Sequence, residues 1–177
     1  MKRTLLCIIL LCFVGSSVFA QDEERKNPKF YIGAGFGLDY GGLIGGKVEF
    51  LPIKYFGVFA GAGYNLVSLG WNVGGAVKIL PDKRVSPNLM LMYGANGALA
   101  GIDSYSKQYE MTSYGPSIGV NLDIKIGRRG HKITPGLLIP FRSSKFKDNY
   151  EEAKDDSQMA VSLLLPIAFS IGFNFGL

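Results

Sequence analysis

The sequence predicts an all-β protein, an eight-stranded antiparallel up-and-down transmembrane β-barrel. Three observations lead to this prediction. Large apolar residues alternate with small or polar ones in eight segments, which is the period-two pattern of strands. The charged residues of these segments all fall on the face opposite the large apolar side chains. Much of the glycine, which reaches 24 of 177 residues, lies on that same polar-containing face.

The first four segments each have one face of apolar residues. They span 30–38, 44–50, 56–66 and 69–79, with apolar faces Phe30, Ile32, Ala34, Phe36 and Leu38; Ile44, Val48 and Phe50; Phe56, Val58, Ala60, Ala62, Tyr64 and Leu66; and Leu69, Trp71, Val73, Val77 and Ile79. Their opposite faces hold glycine, asparagine and the charged Lys47, Glu49 and Lys78. Each segment therefore predicts a strand with one apolar side.

The last four segments repeat the pattern. They span 89–99, 113–126, 132–142 and 161–177, with Asp123, Lys125, Lys132 and Arg142 opposite the apolar face. The final segment is apolar enough to be considered as a helix. A helix would place Pro166 in its interior at a cost of about 3 kcal/mol, so the alternation favours a strand.

The distribution of glycine indicates which face lies inside. A soluble barrel keeps its large apolar residues inside, whereas a membrane barrel turns them toward lipid. Glycine suits the crowded interior of eight strands and only weakens a strand facing solvent. The apolar face is therefore predicted to point outward. Aromatic residues are expected near its two rims: Phe30, Phe50, Phe56, Phe173 and Phe175 at one, and Tyr64, Trp71, Tyr114 and Phe141 at the other, with Tyr93 near mid-height.

The connections alternate between two ends of the predicted barrel. Segments 51–55, 81–87 and 127–131 are assigned to short periplasmic turns. Segments 39–42, a link near Val67–Ser68, 101–112 and 143–158 are assigned to the outer end. Within the strands, Pro116 and Pro135 each lack a ladder donor and predict a bulge or local break.

The N-terminus has the pattern of a secretory signal peptide over 1–20, with a basic start, a short apolar core and cleavage near Ala20. Residues 21–29 form a polar periplasmic lead-in, and 30–177 form the barrel. Cys7 and Cys12 both lie within the leader, so the exported chain has no disulfide, thiol nucleophile or thiolate metal site. Loss of Lys2 and Arg3 leaves 17 basic and 14 acidic residues, a mild balance without the basic stripe that nucleic acid requires.

In its alternation and in its glycine-rich start "FYIGAGFGLDYGG", residues 30–177 resemble the small eight-stranded outer-membrane barrels. These are the OmpX-like, OmpA transmembrane-domain-like and porin-family outer-membrane β-barrel proteins of Gram-negative bacteria. The resemblance implies an outer-membrane location and two kinds of partner, namely outer-membrane lipid with lipopolysaccharide and the barrel-assembly machinery. That machinery commonly reads a terminal aromatic residue, whereas this chain ends in Leu177 with Phe175 in phase.

No pattern of catalytic, metal-binding or cofactor-binding residues stands out. His131 is the only histidine and falls in a predicted turn, which disfavours Ser-His chemistry on lipid. The glycines form no phosphate-binding motif. The strand charges predict a polar network inside the barrel, formed by Lys47, Glu49, Lys78, Asp123, Lys125 and Arg142. Its simplest role is to fill the interior, and the alternative is to line a narrow ion path.

The predicted function is a structural or surface-interaction role without catalysis. Contacts with an extracellular partner are expected at loops 101–112 and 143–158, where the candidate residues are Tyr105, Tyr109, Lys147, Tyr150, Glu151 and Glu152. Three alternatives stay open: a narrow passive pore for ions or small solutes, a disfavoured lipid-modifying enzyme, and a soluble periplasmic barrel with an apolar ligand.

Overall fold

The chain forms a closed barrel of eight antiparallel strands in which each strand pairs with its sequence neighbours and the last pairs with the first. The computed structural model describes residues 28–65, 68–102, 108–144, 146 and 166–177, with only the backbone described at 99–102 and 108–111. The strands are β1 Phe30–Gly37, β2 Gly42–Ile53, β3 Phe56–Tyr64, β4 Leu69–Lys78, β5 Val85–Ile102, β6 Gln108–Ile126, β7 His131–Pro140 and β8 Ala168–Gly176. The predicted fold class is therefore confirmed.

Burial alternates along each strand with the predicted phase. On β5 and β6, Leu91 and Val120 are 61% and 54% exposed, whereas Met90 and Asp123 are 1% and 3% exposed. The large apolar residues thus form an outer wall, and the polar and small residues face inward. This arrangement follows because successive strand side chains point to opposite faces of the sheet.

The two ends of the barrel differ. One end, called the turn end below, carries the turns at 54–55, 79–84 and 127–130 together with the start of β1. The other end, the loop end, carries the connections 38–41, 65–68, 103–107 and 141–167. Most of the last connection lies outside the described residues, as do 161–165 of the eighth predicted strand, which the structure begins at Ala168.

The prediction of a twelve-residue loop at 101–112 is wrong. Strand β5 continues to Ile102 and β6 begins at Gln108, and these two residues pair. The period-two pattern weakens there because the residues of "GALAGI" are mostly small and those of "QYEMTS" are mostly polar. The backbone hydrogen bonds between β5 and β6 nevertheless continue through both segments, and they do not depend on an apolar face. The predicted strand starts at 44 and 89 are also late, since β2 begins at Gly42 and β5 at Val85.

The prolines do not produce bulges. Register shifts occur instead at Gly35/Gly37, Phe50/Ile53 and Ala95/Gly97. Pro116 pairs with Tyr93 in an unshifted ladder. Near Pro135 the β6–β7 pairing runs to Asn121↔Gly136 and resumes at Ile124↔Ile133 in the same register. Pro135 thus coincides with a local break, as predicted, while Pro116 does not.

The connection predicted at 39–42 lies at the loop end, as predicted, but it folds into the barrel. Residues Leu38–Tyr40 form a 3-10 helix, called the inner turn below, whose Asp39 and Tyr40 are both fully buried. Gly37 and Gly41 flank it with φ of 112° and 87°, a backbone region that favours glycine. Leu38, predicted on the outer face, packs against the interior apolar residues instead.

Candidate functional site: the barrel interior

The inner turn occupies the loop-end part of the interior, where glycines of the surrounding strands leave room for it. A side chain at any of six glycines would collide with atoms of residues 39–41: Gly35, Gly45, Gly61, Gly63, Gly70 and Gly172. At Gly172 the three nearest atoms all belong to the Tyr40 side chain. The inward-facing glycine noticed in the sequence therefore creates the space that the inner turn occupies.

Lys47 is held beneath the inner turn. Its ammonium lies 2.6 Å from Oδ2 of Asp39, and both side chains are almost completely buried. The same ammonium lies 4.2 Å from the centroid of the Tyr40 ring and 5.5 Å from that of Phe59. A buried cation is tolerated when a carboxylate and aromatic faces replace its water, and this site supplies both.

A second group of charges, called the four-charge cluster below, lies closer to the turn end and consists of Glu49, Lys78, Asp123 and Lys132. Lys78 lies 2.8 Å from Glu49 and 2.5 Å from Asp123, and Lys132 lies 2.5 Å from Glu49 and 2.9 Å from Asp123. All four side chains are at most 6% exposed. The cluster is formally neutral, and its two lysines bridge two acids that come from β2 and β6.

Polar side chains connect the inner turn to the four-charge cluster. Nδ2 of Asn174 donates to the Tyr40 hydroxyl and to the Thr134 hydroxyl, each at 3.0 Å. The Thr134 hydroxyl in turn donates to Oδ1 of Asp123 at 3.2 Å. The Tyr31 ring covers Lys132, with 4.2 Å from ammonium to ring centroid. Such chained hydrogen bonds fix the interior side chains in one arrangement.

Apolar residues fill another part of the interior, a feature that the sequence reasoning missed. Five buried residues of β3, β4, β5 and β7 pack together: Phe59, Ala76, Met90, Met92 and Leu138. They alternate along their strands with exposed residues of the outer wall, as the charged residues do. Parity identifies inward residues whether polar or not, so the signal was present in the sequence.

The predicted network of six residues is divided in the structure. Glu49, Lys78 and Asp123 come together in the four-charge cluster, while Lys47 pairs separately with Asp39. Lys125 is buried at the turn end, where its ammonium donates to the carbonyl of Pro81. Lys132, which is not among the six residues of the predicted network, pairs with Glu49 and Asp123 and completes the cluster.

Arg142 lies at the loop end, away from the four-charge cluster. Its Nε donates to the carbonyl oxygen of Asn96 at 3.0 Å. A Cβ at Gly97 would contact both Arg142 and Phe146, and Phe146 is fully buried although it follows β7 in the connection. Burial lowers the pKa of the Arg142 guanidinium, which nevertheless stays charged at neutral pH.

A small cavity of about 110 Å³ lies at the turn end beside the buried charges. Its walls include Tyr31, Lys78, Asp123 and Lys125. The volume suits a few water molecules, each of which occupies roughly 30 Å³ in the liquid. The cavity therefore offers hydration to one side of the four-charge cluster.

The outer-loop contact candidates cannot be placed. Tyr105, Lys147, Tyr150, Glu151 and Glu152 lie outside the described residues, and only the backbone of Tyr109 is described, in β6. Residues 1–27, which include the predicted leader and most of the lead-in, lie outside them as well.

His131 opens β7 at the turn end, where Nδ1 accepts a hydrogen bond from the Gly176 amide at 3.2 Å. Its ring packs edge-on to Phe175, with centroids 5.6 Å apart. Among the described residues, no group of three or more His, Cys, Asp or Glu side chains could hold a metal ion. No helix in the described part of the chain is long and apolar enough to cross a membrane.

The outer aromatic residues lie where the sequence predicted an outward face. Phe30, Phe50 and Phe56 are 38–47% exposed near the turn end. Toward the loop end, the rings of Trp71 and Tyr114 contact each other at a tilt of 36°, with 5.7 Å between their centroids. Phe30 pairs with Phe50; Phe30 is the first residue of β1, and Phe50 lies three residues before the turn-end limit of β2 at Ile53. The rings thus mark two levels on the outer wall.

Comparison with known proteins shows a likeness in fold. The chain is similar to the N-terminal β-barrel domain of OprF from Pseudomonas aeruginosa, with a TM-score of 0.50 and 14% sequence identity over 85% of this chain and 98% of that domain. No protein-family model matches the sequence. No curated protein is significantly similar to it. The likeness to OprF confirms the small-barrel fold that the resemblance implied.

Proposed function

We propose that this chain, which shares the eight-stranded barrel fold of the OprF domain, is an integral outer-membrane protein with a structural or surface-interaction role and no catalytic activity. One observation carries the proposal. The outer wall exposes large apolar side chains all round a closed barrel whose interior holds buried charges. That arrangement inverts the one found in soluble proteins.

The inversion is clearest on three adjacent strands. Leu91, Val120 and Leu137 of β5, β6 and β7 are 49–61% exposed, whereas Asp123 and Lys132 are 2–3% exposed. In water, such a wall would be a continuous apolar patch that promotes association. In a bilayer, the same wall contacts lipid and the closed ladder leaves no unpaired strand edge, so the fold is stable there.

The proposal includes a location and partners. After removal of 1–20, the barrel inserts into the outer membrane of a Gram-negative bacterium with the help of the barrel-assembly machinery. Outer-membrane phospholipid and lipopolysaccharide surround the wall. An extracellular partner contacts the loop end through the β5–β6 hairpin and through 143–158, with the tyrosines and charges named above. The short turns at the opposite end support this orientation.

Substitution of an outer-wall residue by lysine distinguishes a membrane barrel from a soluble one. In residues 21–177 refolded into phospholipid vesicles, Leu91→Lys should destabilise the barrel by about 2–4 kcal/mol, because Leu91 would face lipid. Ile53→Lys is the matched control, since Ile53 is equally exposed but adjoins a turn, and it should cost about 0–1 kcal/mol. Urea unfolding followed by far-UV circular dichroism measures both.

The wild-type protein should also show a β spectrum and a heat-dependent mobility shift on a denaturing gel. A barrel that stays soluble without detergent, and that Leu91→Lys does not destabilise, would contradict the proposal. Such a result would favour the soluble periplasmic barrel. Unaltered lipid A after deletion and overexpression of the gene would remove the lipid-modifying alternative.

A narrow passive pore is the second candidate, and the cavity beside the charges at the turn end favours it. The filling of the interior by Tyr40 and the apolar residues around Met90 opposes it, because an ion path needs a continuous polar lumen. Planar-bilayer recording separates the two. Absence of conductance supports the structural role, whereas steady conductance that Lys47→Met or Asp123→Asn abolishes would support the pore.

A further inference from the structure

We infer that the turn end binds phospholipid phosphates and selects lipids with a net negative charge. The surface that would do so, called the basic ring below, consists of Lys29, Lys54, Lys83, Arg84, Arg128 and Arg129. The inference rests on the proposed function, since the ring meets headgroups only if the strands span a bilayer.

The ring follows the whole circumference of the turn end. Lys29 precedes β1, Lys54 lies in the β2–β3 turn, Lys83 and Arg84 lie in the β4–β5 turn, and the two arginines 128 and 129 lie in the β6–β7 turn. Because the strands pair in sequence order, these four places are distributed round the closed barrel. All but the half-buried Lys83 are exposed.

The charge of this surface is strongly one-sided. Across residues 28–29, 54–55, 79–84 and 127–130 there are six bases and one acid, Asp82. Asp82 lies 2.8 Å from Lys54 in a solvent-exposed pair, and this hydrogen bond raises the pKa of the lysine. The remaining excess is five positive charges on a rim that meets water and headgroups.

The depth of the ring matches that of phosphates. Exposed apolar side chains lie within three residues of the bases in the chain: Phe30, Ile53, Tyr55, Leu80 and Ile126. The ammonium of Lys54 lies 5.0 Å from the centroid of the Tyr55 ring. Aromatic rings prefer the membrane interface, and the long stems of Lys and Arg carry their charges outward to the headgroups.

The geometry favours lipid over an acidic protein. A docked protein would contact one side of the rim, whereas lipid surrounds the barrel and can meet every base at once. Four to eight bases next to a membrane segment form a typical site for anionic lipid, and their guanidinium groups pair well with phosphate.

The test compares two variants with three neutralised bases each. Arg84→Gln, Arg128→Gln and Arg129→Gln together remove half of the ring. Lys107→Gln, Lys145→Gln and Lys154→Gln together are the control, because these lysines belong to connections at the loop end. The proteins are refolded in phosphatidylcholine vesicles with spin-labelled phosphatidylglycerol or spin-labelled phosphatidylcholine. Electron paramagnetic resonance then measures the fraction of each label held at the barrel.

In wild type and control, labelled phosphatidylglycerol should associate about two- to fivefold more strongly than phosphatidylcholine at low salt. The ratio should fall toward 1 in the ring variant, and in wild type at about 1 M salt, where the Debye length is about 3 Å.

A ratio of 1 in a wild-type barrel that shows the heat-dependent shift would overturn the inference and leave the proposed function standing. So would a ratio that the ring variant preserves. Binding of soluble polyglutamate that only the ring variant loses, without lipid selectivity, would assign the ring to an acidic macromolecule and also overturn it. Failure of the barrel to insert at all would refute the proposed function and the inference together.

Discussion

Replacing Asp123 with Asn is expected to lower the free energy of unfolding of the barrel by about 3–5 kcal/mol, as is typical when one partner of a buried ion pair is removed. Asp123 accepts from Lys78, Lys132 and Thr134. Its neutralisation leaves two buried ammonium groups to share Glu49. Urea unfolding in vesicles, followed by far-UV circular dichroism, measures the loss.

A second substitution tests whether charge is the cause. Adding Lys132→Met to Asp123→Asn restores neutrality with one acid and one base, so the double variant should be more stable than the sum of the single losses predicts. Asp82→Asn is the control, because it removes the same group from the exposed pair with Lys54 and should leave unfolding unchanged. Strict additivity of the two interior losses would contradict the coupling of the four-charge cluster.

Replacing Gly172 with Val should be similarly harmful, with a loss of about 3–5 kcal/mol, comparable to losing a buried aromatic side chain. The new side chain would occupy the space of the Tyr40 ring and displace the inner turn from its position against the glycines. Gly46→Val is the control, because a Cβ there points outward and meets its nearest atom at 3.6 Å. The same unfolding measurement compares them.

Removal of Tyr40 should make the Gly172 substitution harmless. Tyr40→Ala alone should cost about 3–5 kcal/mol, since the ring is fully buried. Because the atoms nearest to a side chain at 172 belong to Tyr40, adding Gly172→Val to that variant should cost less than about 1 kcal/mol. If Gly172→Val is equally damaging with and without Tyr40, the glycine serves the strand and not the inner turn.

Local patterns sufficed for most of the fold. The parity of residues such as Leu91 and Asp123 placed each on the correct face, because a strand side chain can point only one of two ways. The pattern failed to predict strands where large apolar residues did not alternate with small or polar ones. The small residues before Ile102 and the polar residues after Gln108 belong to strands although neither shows an apolar face.

The inner turn could not be predicted for a different reason. The letters "DYGG" between two strands are typical of a tight turn, and Gly41 does adopt the expected backbone. Nothing local indicates that Tyr40 points into the barrel. Its place depends on space left by Gly35 and Gly172, which belong to β1 and β8 and meet it only after the barrel closes.

The sequence by itself determined that this protein is a barrel with an apolar wall and an interior containing charges, because a period of two assigns every side chain to a face. Only the tertiary structure decided which charges meet. Glu49 and Lys132 are 83 positions apart and lie 2.5 Å from one another, and Arg142 shares their face yet stands apart at the loop end. Parity selects a face, but the register of eight closed strands sets the height and the neighbour across the interior.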